Sequence, residues 1–451
     1  MKGKKQSPPE SGLFILRTEG LQSLMNRVAE GGEEGRRLRG LKKLSIKGGR
    51  LEMAPGLTPA LNVSAAAPNS RLDDVHLQMF DRLAVEKEKR TVAITYPKDG
   101  TWWLEVWSGE REGYLQIGGK GSLVDTLTEA AAHVRAPIVH FEDFRGLPLS
   151  VVQALEKRGL LTAVSIYDFS FFCRRPQLIE MPAGRFCAFS KDPKRCDACL
   201  KDIDPEGRHT QADYRQVAAE ALHATHLVIY PSHYMQRRHQ VLFPERRPDQ
   251  REIVIPPATA REQGPPAKSG ERPNVAFIGG TEIEAGPFLI PPIMEGILKQ
   301  RPKASGFIYG TGDAEMLKRA SKAKRVSARG HYRKGTLPSL LARDRIGVAV
   351  LPAIWPNPYG LVVDECLSAG VPVVALDLGS VADRLRYWEV GSVVPLSEGV
   401  GGLSDAAANV LFGGESVPQA IIKTLPLIDR SAQRHTEMYK FIRIRAQKGK
   451  S

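Results

Sequence analysis

WPNPYGLVVDECLSAGVPVVALDLGSVADRL, residues 355–385, holds the pattern from which the fold is read. The apolar run Ile346–Leu351 just before it predicts a buried strand. A loop broken by Pro352, Pro356 and Pro358 follows, a helix opens near Gly360, and a second buried strand is expected over 371–376. Continuous apolar runs bounded by Gly and Pro, with a short helix between them, mark a parallel sheet with crossover helices. Strands covered on both faces lose polar alternation. At the helix start, the free N–H groups of Gly360, Leu361 and Val362 and the positive dipole end make a ready anion site. Glu365 stands one turn further in, placed to accept hydrogen bonds from hydroxyl groups.

The run PNPYGLVVDECLSAGVPVVA (356–375) resembles the signature of retaining GT-B glycosyltransferases of family four, in which two glutamates flank a seven-residue spacer. The second glutamate matches Glu365, and the aromatic-glycine pair matches Tyr359 and Gly360. Where the first glutamate belongs, this chain has Asn357. The similarity continues upstream through RGHYRKGTLPSLLARDRIGVAVLPAIWP (329–356) and, with weaker motifs, to His140. It is strongest to bacterial enzymes that build O-antigen and other surface polysaccharides. The resemblance implies an α/β fold of the GT-B type, two Rossmann-like domains whose parallel sheets face a central cleft. It also implies a nucleotide-diphosphate sugar as donor and a glycan or lipid-linked acceptor, with no cofactor required for catalysis.

At 451 residues the chain has length for two domains, each with its own core. Its 42% hydrophobic and 25% charged content is that of an ordinary globular protein. No stretch approaches ~20 uninterrupted apolar residues, so no membrane-spanning helix is expected. The basic start MKGKKQSPPESG lacks an apolar run behind it, and the expectation is a cytoplasmic protein. The net charge of +14 concentrates at the two ends. Such ends suit an anionic membrane surface and peripheral attachment to its inner face, or simply a solvated surface. Nucleic acid is not expected, since no groove-reading motif accompanies the charge.

Taken in order, residues 1–60 read as a basic extension and linker, 61–268 as the first Rossmann-like, acceptor-side domain, 269–415 as the nucleotide-sugar domain, and 416–451 as a crossover helix with a basic tail. In the first domain His140 and Asp168 fall at expected strand ends, where parallel sheets hold ligands. His140 reads equally as a satisfied core histidine. Relatives carry His-Asp where this chain has Tyr167 and Asp168.

Cys173, Cys187, Cys196 and Cys199 cluster, the last two as C-x-x-C. Two readings stand: a structural zinc site of four thiolates, or reduced, partly buried thiols. Asp202 and Asp204 form an Asp-x-Asp that reads as a loop, and Cys366 as a small core residue.

The second domain opens with a strand and the turn GGTEIEAG (279–286). Gly279, Gly280 and Thr281 there let a phosphate approach the backbone. Relatives place an Arg and a Lys at positions that here are Gly280 and Ala285, with Arg333 or Lys334 near enough to compensate. Gly310 and Tyr332 follow the next two strands. By resemblance the donor site comprises Gly279, Gly280, Thr281, Gly310, Tyr332, Tyr359, Gly360, Leu361, Val362 and Glu365, with Asn357, Glu365, His140 and Asp168 as catalytic candidates. Two functions are therefore in play: a retaining hexosyltransferase, or a non-catalytic relative that binds nucleotide sugar or glycan, favoured by the departures at Tyr167, Gly280, Ala285 and Asn357.

Overall fold

The computed structural model describes residues 42–43, 46–47, 50–51, 60–64, 92–98, 101–108, 110–117, 121–144, 146–257, 272–279, 282–310, 314–332 and 335–448. Gly280, Thr281, Arg333 and Lys334 lie outside them, as do the helical reading of the basic start and most of the Pro/Gly-rich stretch before residue 272. The chain divides into two compact units. One takes the described residues of Arg37–Arg261 together with those of Pro426–Ser451, the other those of Glu262–Leu425.

Strands of the first unit are β1 (Lys42–Lys43), β2 (Ile46–Lys47), β3 (Arg50–Leu51), β4 (Leu61–Val63), β5 (Val92–Lys98), β6 (Thr101–Ser108), β7 (Glu110–Ile117), β8 (Ile138–Phe141), β9 (Leu161–Ser165), β10 (Ile179–Glu180), β11 (Arg185–Phe186), β12 (Leu227–Tyr230) and β13 (Arg251–Val254). Nine of them form one sheet in the order β1-β7-β6-β5-β4-β8-β9-β12-β13. Its body is parallel from β5 to β13, and β6 and β7 extend it antiparallel. β4, β8 and β12 are buried along their whole length, which accounts for their mainly apolar sequences, the buried polar Asn62 and His140 being held by hydrogen bonds. Helix Leu123–His133 starts on a capping box, with Ser122 and Asp125 each serving the other's backbone N–H. The last helix, Ile428–Lys448, begins after Pro426, and its Tyr439 and Ile442 pack on Ala60, Ile138, Ala163, Leu227 and Ile229 of this unit.

The second unit is a six-stranded, wholly parallel sheet. Its strands are β14 (Asn274–Ile278), β15 (Gly306–Tyr309), β16 (Val326–Gly330), β17 (Ile346–Leu351), β18 (Val373–Leu376) and β19 (Ser392–Val394), in the order β16-β15-β14-β17-β18-β19. Successive β14 side chains enter different cores: Val275 and Phe277 pack with Ile293, Met294 and Leu403, while Ala276 and Ile278 pack with Leu341, Val363 and Leu367. The period of two places helices on both faces. From β14 the chain runs outward to β15 and β16, then returns to β17 on the other side. That reversal opens a crevice at the carboxyl ends of β14 and β17, where ligands bind in such sheets.

Candidate functional site

A cavity of about 220 Å³ occupies that crevice. Ile278 and Gly279 at the end of β14, Leu351, Pro352 and Ala353 at the end of β17, and Ala375 and Leu376 at the end of β18 line it, together with Asn357, Gly360 and Val362. The two glycine turns are held together by steric necessity. Gly310 has φ 128°, and a Cβ there would stand 1.7 Å from the carbonyl oxygen of Gly279. Gly286, at φ 70°, is pressed against the carbonyl of Pro352 in the same way. The backbone N–H of Ile354 then donates to the carbonyl of Glu284 at 2.9 Å, tying the first turn to the proline loop.

Gly360, in the left-handed region at φ 77°, caps helix Leu361–Ser368, and no side chain caps its free N–H groups. Val363 N–H returns to the Gly360 carbonyl at 3.0 Å, so Leu361 and Val362 are left as the donors facing outward from the first turn. With Gly360 and Val362 in the cavity wall, this N-terminus is positioned to receive an anion.

A buried ion pair holds the turn. Arg384 on helix Gly379–Trp388 pairs with Asp364 and donates to the Tyr359 carbonyl at 2.9 Å. Its guanidinium lies 4.0 Å above the Tyr359 ring, and the Tyr359 hydroxyl donates to Asp364 at 2.8 Å. Burial pushes the Asp364 carboxyl above its ordinary value, and Arg384 and Tyr359 oppose that shift.

Tyr359 thus works from behind the turn, and burial raises its phenol well above the usual range. Tyr332 and Glu365 are brought together, with Tyr332 Oη 3.5 Å from Glu365 Oε2. Asn357 Oδ1 accepts from the Tyr359 N–H at 3.0 Å, and the Asn357 carbonyl accepts from Ser380 N–H at 2.9 Å, so this residue shapes its own loop. Ala285 ends the short 3-10 turn Ile283–Ala285 and lines the cavity.

Sequence reasoning passed over Glu282 and Glu284, which are the charged side chains of the described cavity wall. Burial raises the Glu284 carboxyl, and the nearby Glu282 adds to the shift. The signal was available in GGTEIEAG, where two acidic residues stand in the turn after β14.

The first-unit candidates lie in other surroundings. His140 is fully buried, its Nδ1 2.5 Å from Tyr439 Oη and its Nε2 2.9 Å from Ser165 Oγ. Glu142 approaches the same Nδ1 at 3.1 Å, and burial lifts its carboxyl to about 8. Asp168 Oδ1 accepts from Ser170 N–H at 2.8 Å, bracing the turn that leads to Cys173. Asp202 pairs with Arg175 and Asp204 with Arg174, as loop residues do.

Residues 272–411 match the family model described as "Glycosyl transferases group 1". The match runs from β14 into helix Gly399–Gly413 and so contains the whole cavity. No curated protein matches the chain in sequence. Among solved structures, sucrose-phosphate synthase from Thermosynechococcus elongatus is similar at 15% identity and TM-score 0.58, covering 85% of this chain and 99% of that one. Anabaena HepE in complex with UDP and glucose superimposes at 14% identity and TM-score 0.54, covering 85% and 99%. A glycosyltransferase from Rickettsia africae does so at 11% identity and TM-score 0.56, covering 86% and 99%. The fold is that of GT-B glycosyltransferases. Among the described residues no helix is long and apolar enough to cross a membrane.

Proposed function

We propose that this glycosyltransferase-type chain moves a sugar, with retention, from a nucleotide-diphosphate sugar to a glycan or lipid-linked acceptor in surface-polysaccharide assembly. The observation that carries the reading is the uncapped N-terminus of helix Leu361–Ser368, opening into a crevice at the ends of β14, β17 and β18 within the matched region. Its N–H groups would hold diphosphate oxygens. The leaving group needs such fixed dipoles because negative charge accumulates on it as the glycosidic bond breaks. Glu365, beside Tyr332, would accept hydrogen bonds from ribose or sugar hydroxyls. UDP and glucose bound to HepE, a protein of the same fold, fit this class of donor. Peripheral attachment to an anionic membrane on the cytoplasmic side belongs to the same proposal. It draws on the exposed Phe441 and Ile444 beside Arg443 and Arg445 of the last helix.

One observation favours the second reading, a binding protein without turnover. Glu282 and Glu284 face the crevice, and Asn357, standing where relatives have glutamate, spends its side-chain oxygen on Tyr359. Carboxylates there repel a diphosphate, so the helix end must outweigh them. The test of donor binding is a melting-temperature panel of UDP, GDP, dTDP, ADP and CMP sugars. One nucleotide should stabilise the protein by about 2.7 kcal/mol at a hundredfold excess over its dissociation constant, and Glu365→Ala should abolish the gain. No shift with any member would count against both readings.

A further inference from the structure

Four of the five cysteines gather in the excursion between β9 and helix Gln211–Ala224. Cys173 closes the turn after β9, and Cys187 leaves the β10–β11 hairpin. Cys196 and Cys199 lie one turn apart on helix Pro193–Leu200, on one face of it. The contacts around them interlock: Arg215 reaches both Cys196 Sγ and the Phe172 carbonyl next to Cys173, and Arg175, whose N–H lies on Cys173 Sγ, donates through its guanidinium to the Cys199 carbonyl at 3.3 Å.

The surrounding chain aims hydrogen-bond donors at sulfur. Arg175 N–H donates to Cys173 Sγ at 3.4 Å, Met181 N–H to Cys199 Sγ at 3.3 Å, and Arg215 Nη2 to Cys196 Sγ at 3.5 Å. Past Cys187 the chain turns sharply: Ser190 N–H donates to the Cys187 carbonyl at 3.2 Å, with Ala188 and Phe189 both in the left-handed region at φ 52° and 57°.

The hairpin strands are two residues each, too short to hold this excursion by themselves. All four thiols are free, and among the described residues no group of three or more His, Cys, Asp or Glu is already arranged to hold a metal ion. Ligation therefore needs the sulfurs to rotate inward from their present contacts, such as those of Cys196 with the Ser190 carbonyl and Cys199 with the Ile179 carbonyl.

We propose that Cys173, Cys187, Cys196 and Cys199 close a tetrahedral structural zinc site that staples the hairpin to helix Pro193–Leu200. Binding one Zn²⁺ releases four thiol protons to solvent and leaves a site of net charge −2, which the Arg215 guanidinium at Cys196 offsets in part, Arg175 and Arg195 being paired with Asp202 and Glu180. No electron transfer is involved. The site is distant in sequence from the crevice, and the inference stands whether or not the chain transfers sugar.

The full chain, purified under reducing conditions from zinc-supplemented culture, should carry about one zinc by elemental analysis. A mercurial reagent should release that zinc as the thiols titrate. Cys196→Ser and Cys187→Ser should each lower zinc content at least twofold, while Cys366→Ser, in the other unit, should leave it unchanged. Should the serine variants fail to fold, cobalt added to metal-stripped wild type decides: thiolate-to-cobalt charge-transfer absorbance at one equivalent supports the site. Wild type that is metal-free and takes up neither zinc nor cobalt at one equivalent overturns it.

Discussion

Replacing Arg384 with methionine keeps most of the side chain's bulk and removes its charge, which tests whether the Tyr359–Gly360 turn depends on a buried ion pair. In the folded chain the Arg384 and Asp364 side chains are 12% and 13% exposed. Removing one partner of such a pair leaves an uncompensated buried charge, at about 3–5 kcal/mol. Asp364 keeps only the Tyr359 hydroxyl, a weaker partner than the guanidinium. For a unit of this size each kcal/mol lowers the melting temperature by roughly 2–4 °C, so the expected fall is roughly 6–20 °C. Arg384→Met should also weaken donor binding, because the Tyr359 and Gly360 carbonyls lose the donor that holds them. Pairing it with Asp364→Asn should restore much of the stability, since the orphaned charge goes too. Chemical denaturation of the wild type, both single variants and the double variant gives the coupling directly. A single variant within about 0.5 kcal/mol of wild type would refute the argument.

Glu142 carries a pH signature. Its folded carboxyl stands at about 8 against 4.5, so the folded state holds the proton more tightly than the unfolded chain. Its burial is therefore fully tolerated below about pH 4.5 and becomes a growing cost as pH rises toward 8. Glu142→Gln cannot ionise, so its stability relative to wild type should climb between pH 5 and 8 by up to ~1 kcal/mol per pH unit; a flat difference would mean that the His140 contact keeps the carboxylate charged. At the crevice, a Cβ on Gly310 collides with the Gly279 carbonyl. Gly310→Ala should therefore lower the melting temperature and abolish nucleotide-induced stabilisation, and a variant that retains both would show the turn can open at little cost.

Most of the second sheet was legible because parallel strands announce themselves as apolar runs. β17 falls where the sequence puts it, and β18 starts within two residues of its expected place. The start of helix Leu361–Ser368 followed from Gly360 after three prolines. The side-chain arrangement was less legible. Arg384 lies twenty residues from Asp364, and nothing local announces a pair that only the packing of two helices creates. Asn357 lines the cavity, and its oxygen also closes a turn with Tyr359, a short-range contact that residue type alone does not reveal. His140 had two sequence readings, and its two ring nitrogens face Tyr439 and Ser165, the former nearly three hundred residues away. The antiparallel β6 and β7 depart from the parallel sheets expected of both domains, since strand patterning carries no pairing direction.

Release of nucleoside diphosphate from the donor that stabilises the protein, followed with an acceptor present, tests the central claim most directly. Asn357 lacks the charge that a carboxylate would set beside the developing positive charge, and one lost preorganised contact typically costs ~10²–10³ in rate. The account predicts slow but measurable release, raised by Asn357→Glu and lost in Glu365→Ala. Binding of the donor with no release above background by wild type or Asn357→Glu would contradict it and establish a protein that holds the nucleotide sugar without transferring it.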